Sequence, residues 1–201
     1  HHGYPSLYMN FGEEIVQPLA DYGGGSGCGA LFLDEPGFPS GYGQALYTAD
    51  WGRNVIYRHH LTPKGATFAP DQTEFLKATR VTDLDVDGSS NLYATSWKGA
   101  TFTYAGDDVG YLVKVSPKSA QPDRLPDFSD PLICLDVLTK SPSHRRRLEA
   151  QRSLLRKGLD ETLIAELRLI AGDRSKPLEN RVAALFALKQ GVQDGLPGII
   201  G

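Results

Sequence analysis

The chain has 201 residues, of which 40% are hydrophobic and 22% charged, with a net charge of −3. That balance is globular and excludes a disordered tail, and no run of about 18 apolar residues is present to cross a membrane. Residues 1–142 hold 10 Lys/Arg against 17 Asp/Glu, and residues 143–201 hold 11 against 7, so the acidic first part lacks the positive field that nucleic acid requires.

Aromatic residues divide at the same point, with 18 of 19 before Ser143 and only Phe186 after it. Two architectures in one chain are expected. The sequence begins at His1, with no charged and apolar leader, and reads as processed or as a fragment. Cys28 and Cys134 permit one disulfide without requiring it, and each fits equally as a small buried hydrophobe. No Cys-x-x-Cys-His occurs, so a covalent haem site falls outside these residues.

From Phe11 to Leu46, glycine and proline predict turns with short strands between them. Gln44 to Tyr57 alternates as two strands joined at Gly52-Arg53-Asn54, which predicts a hairpin. His59 to Phe68 continues outward, with a tight turn expected at Thr62-Pro63-Lys64-Gly65. Four further strands are expected at Val81–Gly88, Asn91–Ser96, Thr101–Tyr104 and Tyr111–Val115. The strings Leu46-Tyr47-Thr48-Ala49-Asp50-Trp51 and Leu92-Tyr93-Ala94-Thr95-Ser96-Trp97 match at a constant offset of 46 residues. A repeat of about 40–50 residues made of short strands is the size of a propeller blade, which must stack on its neighbours to bury both faces.

Residues 121–142 read as a polar, proline-bearing linker, after which the apolar period changes from two to between three and four. Ser143 is expected to cap a helix ending near Gly158. Asp160 caps a second, with Leu163, Ile164, Leu167, Ile170 and Ala171 as its stripe and Gly172 as its stop. Ser175 with Pro177 opens a third, with Leu178, Val182, Leu185 and Phe186 facing inward. The expected fold class is therefore about two four-stranded β-propeller blades in residues 1–120, then an incomplete α-helical solenoid in residues 143–201. Arg145-Arg146-Arg147, the sole basic run, reads as solvated surface at a helix start.

The string from Leu46 to His59, with Asp83-Leu84-Asp85-Val86-Asp87-Gly88 and Gly25-Ser26-Gly27-Cys28-Gly29, resembles the blade signature of the large membrane-bound dehydrogenases of planctomycetes and verrucomicrobia. The resemblance covers nearly the whole chain, including the order of blades before HEAT-type helices. It implies a periplasmic or cell-surface oxidoreductase that oxidises a sugar or alcohol and passes electrons to a c-type cytochrome domain not present here. It also implies pyrroloquinoline quinone with calcium as cofactors, held jointly with the remaining blades. The competing expectation is a non-catalytic propeller and solenoid platform that binds protein or carbohydrate.

Candidate site residues follow from chemistry. Asp83, Asp85 and Asp87 with Gly88 match the opening of a calcium loop, although Ala94 stands where the closing Glu belongs. The same run also fits a strand ending in a turn. His59 or His60, on opposite faces of a strand, offers an imidazole base toward a hydroxyl, or a hydrogen-bonded structural residue. Asp50 and Arg53 flank Trp51 at a turn and fit either a carboxylate-bearing cofactor held by the guanidinium or an ion pair beneath the tryptophan. Trp51 and Trp97 read as packing residues, and the Gly23–Gly29 run as a connector or an anion cradle.

Overall fold

Alternation of apolar and polar residues sets the strands of the first unit. The computed structural model describes residue 20 and residues 23–97, 107–118 and 124–192. Strands β1 (Gly27–Leu33), β2 (Ala45–Asp50), β3 (Val55–Lys64) and β4 (Thr67–Lys77) pair antiparallel in that order. Strands β5 (Val81–Val86), β6 (Leu92–Trp97) and β7 (Gly110–Val115) form a second antiparallel sheet. Both sheets are open, and no closed barrel or ring of sheets forms among the described residues. The expected strand at Thr101–Tyr104 lies outside the described residues.

The β2–β3 hairpin forms as its sequence predicts, with Asn54 at a φ of 59° closing the turn. The next turn falls later than the Pro63 signal suggests. Lys64 still pairs with Thr67, and Gly65, at a φ of 58°, supplies the backbone conformation of a two-residue loop.

Neither sheet buries both faces alone, so the two pack on each other. Leu33, Tyr47, Ala49 and Ile56 of the first meet Val81, Leu84, Val86 and Leu92 of the second in one core. The approach is closest where β1 and β2 meet β5. A Cβ added at Gly29 would stand 2.9 Å from the Asp83 Cα, so glycine is what lets β1 lie this near β5. The Cys28 thiol donates to the Val81 carbonyl across the same seam at 2.9 Å. Cys28 and Cys134 are both free thiols.

The repeated dipeptide does the same work in each sheet. The Tyr47 hydroxyl donates to the Tyr42 carbonyl at 2.7 Å, and the Tyr93 hydroxyl donates to Asp87 Oδ2 at 3.0 Å. Each tyrosine thereby ties the loop preceding its strand to the strand itself. Burial pushes the Tyr47 phenol up to about 12, against an opposing pull from Arg58. Trp51 and Trp97 meet with ring centroids 5.8 Å apart at 46°.

The second unit holds four helices: α1 (Pro131–Lys140), α2 (His144–Lys157), α3 (Glu161–Gly172) and α4 (Leu178–Gly191). Ser143 and Asp160 cap α2 and α3 as expected, accepting from Arg146 and Leu163 N–H. Three expectations are corrected. The stretch 121–142 is not a plain linker, because α1 occupies part of it: Asp130 caps it, Pro131 begins it, and Cys134, Val137 and Leu138 are buried. On α4 the inward stripe is Asn180, Ala184, Ala187 and Leu188, whereas Leu178 and Phe186 are 67% and 53% exposed. Small residues let the helices approach closely. Arg147 is not solvated surface but 3% exposed, donating from Nη1 to the Ser141 carbonyl at 2.9 Å.

Asn180 explains the α4 orientation, since its Nδ2 donates to the Leu138 and Ser141 carbonyls at the end of α1. Those carbonyls lack helical partners, and burying them unpaired is costly. Asn180→Ala is expected to destabilise the helical unit by about 1–3 kcal/mol, read as an earlier loss of helical circular dichroism in urea. For the sheet unit, Gly29→Ala is expected to cost about 1–3 kcal/mol through overpacking. Tryptophan fluorescence reads this cleanly, because both tryptophans lie in that unit; an unchanged unfolding midpoint would refute the close approach.

Candidate functional site

The turn after β2 is held from both sides. Asp50 is fully buried, and its Oδ1 accepts the Ser26 and Arg53 backbone N–H groups, each at 2.9 Å. Asn54 Oδ1 accepts the Arg80 N–H at 2.8 Å, and its carbonyl accepts the Ala78 N–H at 2.9 Å. These bonds draw the β4–β5 connection against the β2–β3 turn. Between them lies a cleft of about 420 Å³, whose polar lining includes Arg53, Asn54, Tyr57, Glu74, Lys77 and Thr79.

Charge in the cleft is mixed. Lys77 Nζ stands 3.7 Å from Glu74 Oε2, with both side chains largely exposed. The Arg53 Nη2 donates to the Gly23 carbonyl, which orients the guanidinium over the rim. Burial raises the Tyr57 phenol above its ordinary value, with Arg53 pulling it down, so the group is a neutral donor near pH 7. Beside the cleft, the Arg80 guanidinium lies 5.2 Å from the centre of the Trp51 ring.

The residues singled out from sequence are dispersed. Asp50 and Arg53 form neither an ion pair nor a joint ligand fork: the carboxylate caps the turn backbone, and the guanidinium takes a different carbonyl. Only Arg53 lines the cleft. His59 is 2% exposed, its Nε2 is 2.9 Å from Thr48 Oγ1, and burial lowers its pKa below the ordinary 6.5. It is buried within the sheet, its ring nitrogen beside a hydroxyl of the neighbouring strand. His60, on the other face, is exposed.

Asp83 and Asp85 each accept the next residue's N–H at 2.8 Å, while Asp87 accepts from Ser89, Asn91 and Tyr93. Desolvation pushes the Asp87 carboxyl up, but those donors outweigh it and hold it below the ordinary range. Among the described residues no three His, Cys, Asp or Glu side chains converge as a metal would require. The donor set therefore does not fit calcium at Asp83, Asp85 and Asp87. It does not fit the quinone cofactor at Asp50, whose carboxylate is sealed in the turn. The Gly23–Gly29 run leads into β1 rather than a helix, and the Ser26 N–H is spent on Asp50. It is a connector.

Sequence reasoning missed Asn54, Tyr57, Glu74, Lys77 and Thr79. Gly52-Arg53-Asn54 marked a turn, but nothing local said that residues 78–80 fold back onto it. Comparison with protein-family models, curated proteins and solved structures gives no match.

The buried imidazole makes stability depend on pH. The unfolded chain takes up a proton near 6.5, whereas folded His59 resists it, so stability is complete above that value and declines as pH falls through it. Urea unfolding followed by tryptophan fluorescence should show this between pH 7.5 and 5.5, at up to about 1.4 kcal/mol per pH unit. His59→Gln should remove that part of the decline; an identical slope in the variant would refute the assignment.

Proposed function

We propose that the two sheets are consecutive blades of a β-propeller, that the helices open a HEAT-type solenoid, and that both belong to a dehydrogenase of the kind the sequence resembles. The observation that carries the reading is the equivalence of the two repeats. Tyr47 and Tyr93 each tie the preceding loop, and Trp51 and Trp97 meet in a tilted ring contact. Closest approach through the first strands also suits blades arranged about an axis, since inner strands crowd and outer strands splay.

In such a protein these residues serve as framework and ligand rim, and the redox centre is built by other residues. Oxidation of a sugar or alcohol, with electrons passed to a c-type haem domain and a periplasmic or cell-surface location, belongs to the protein as a whole. A second reading is a non-catalytic platform for protein or carbohydrate. It is favoured by the burial of His59 and by the filled hydrogen bonding of Asp87.

Dye-linked oxidation separates the two. A protein containing this chain, supplied with pyrroloquinoline quinone and calcium, is expected to reduce dichlorophenolindophenol with at least one member of a panel of aldoses and alcohols. Chelation should abolish the reaction. No turnover across the panel, with no quinone bound in calorimetry, would leave the platform in its place.

A further inference from the structure

The cleft beside Arg53 has the makings of a binding site in its own right, and it needs neither quinone nor metal. Its volume of about 420 Å³ lies within the range of small-molecule sites. Its wall is fixed by backbone hydrogen bonds from Ala78 and Arg80 to Asn54, so the shape exists before any ligand arrives.

The lining dictates the ligand chemistry. Arg53 spends Nη2 on the Gly23 carbonyl, and its remaining N–H groups are open to a carboxylate. Lys77 and Glu74 offset one another, so the three charged side chains sum to a single positive charge. A group bearing one negative charge balances that; a dianion such as phosphate would meet the Glu74 carboxylate as well. Glu74, Thr79 and the side-chain N–H groups of Asn54 supply hydroxyl-matching acceptors and donors, which a bare carboxylate would leave unused.

The geometry points to a small polyhydroxylated monocarboxylate, of the uronic or aldonic acid class, bound with its carboxylate on Arg53 and its hydroxyls toward Glu74 and Asn54. The site is distinct from the electron-transfer reading above, and a failure of dye-linked oxidation leaves it standing.

The test is calorimetric titration of the full 201-residue chain with galacturonate, galactose, acetate and inorganic phosphate as probes. Galacturonate is expected to bind at least about tenfold more tightly than each of the other three, because only it satisfies both the fork and the hydroxyl partners. Arg53→Gln should weaken galacturonate about tenfold, and Arg53→Lys should do so too, since the fork is lost while the charge remains. Glu74→Gln, at an exposed position that leaves the turn intact, should weaken galacturonate but not acetate. Equal binding of galacturonate and acetate, tighter binding of phosphate, absence of galacturonate binding, or an unchanged affinity in either Arg53→Gln or Glu74→Gln would each overturn the proposal.

Discussion

The sheet unit depends on two small sheets covering each other's apolar faces. A sheet of three or four short strands has one face too many for its own side chains, and here the shared core of Tyr47, Ala49, Leu84 and Val86 removes that surface from water. Gly29 sets how near the sheets come, because any side chain there would meet the backbone of β5. The Cys28 thiol, the Trp51 and Trp97 rings and the bond from the Gly37 N–H to Ser90 Oγ all lie along that seam. Each of these contacts presupposes the approach that glycine permits.

The cleft is a by-product of the same economy of backbone hydrogen bonds. The sharp turn between β2 and β3 exposes N–H groups that must be satisfied, and Asp50, from a fully buried position, answers for that of Arg53 and for that of Ser26 ahead of β1. Asn54 binds the connection leading to β5, and the concavity lies between turn and connection. In the helical unit Arg147 and Asn180 play the corresponding part, closing the carbonyl end of α1 with donors from α2 and α4. In both units a buried polar side chain, rather than an apolar one, decides where a neighbouring segment lies.

That pattern accounts for the hydrogen bonding of several side chains singled out from sequence. An aspartate, a histidine or an arginine in a turn-rich sequence has two uses, and the backbone competes for it first. Asp50, His59, Asp87 and Arg147 are all claimed by nearby backbone or side-chain groups. Arg53 differs in being exposed at the cleft, with Nη2 on the Gly23 carbonyl and the rest of its guanidinium not taken up by the turn.

Local sequence was sufficient for the β2–β3 hairpin, for the spacing of the repeated Leu-Tyr and Trp positions, and for the caps of α2 and α3. Each follows from alternation, a turn residue or a side chain that caps its own helix. The Asp130-Pro131 start of α1 was equally local, but the surrounding polar residues masked it. What only the tertiary structure decided was which face of α4 turns inward and which residues share the cleft. The inward face of α4 is chosen by carbonyls on α1, and the cleft by Asn54 reaching residues 78 and 80. Hydrogen bonds between groups distant in sequence leave no periodic trace, so neither could be read along the chain.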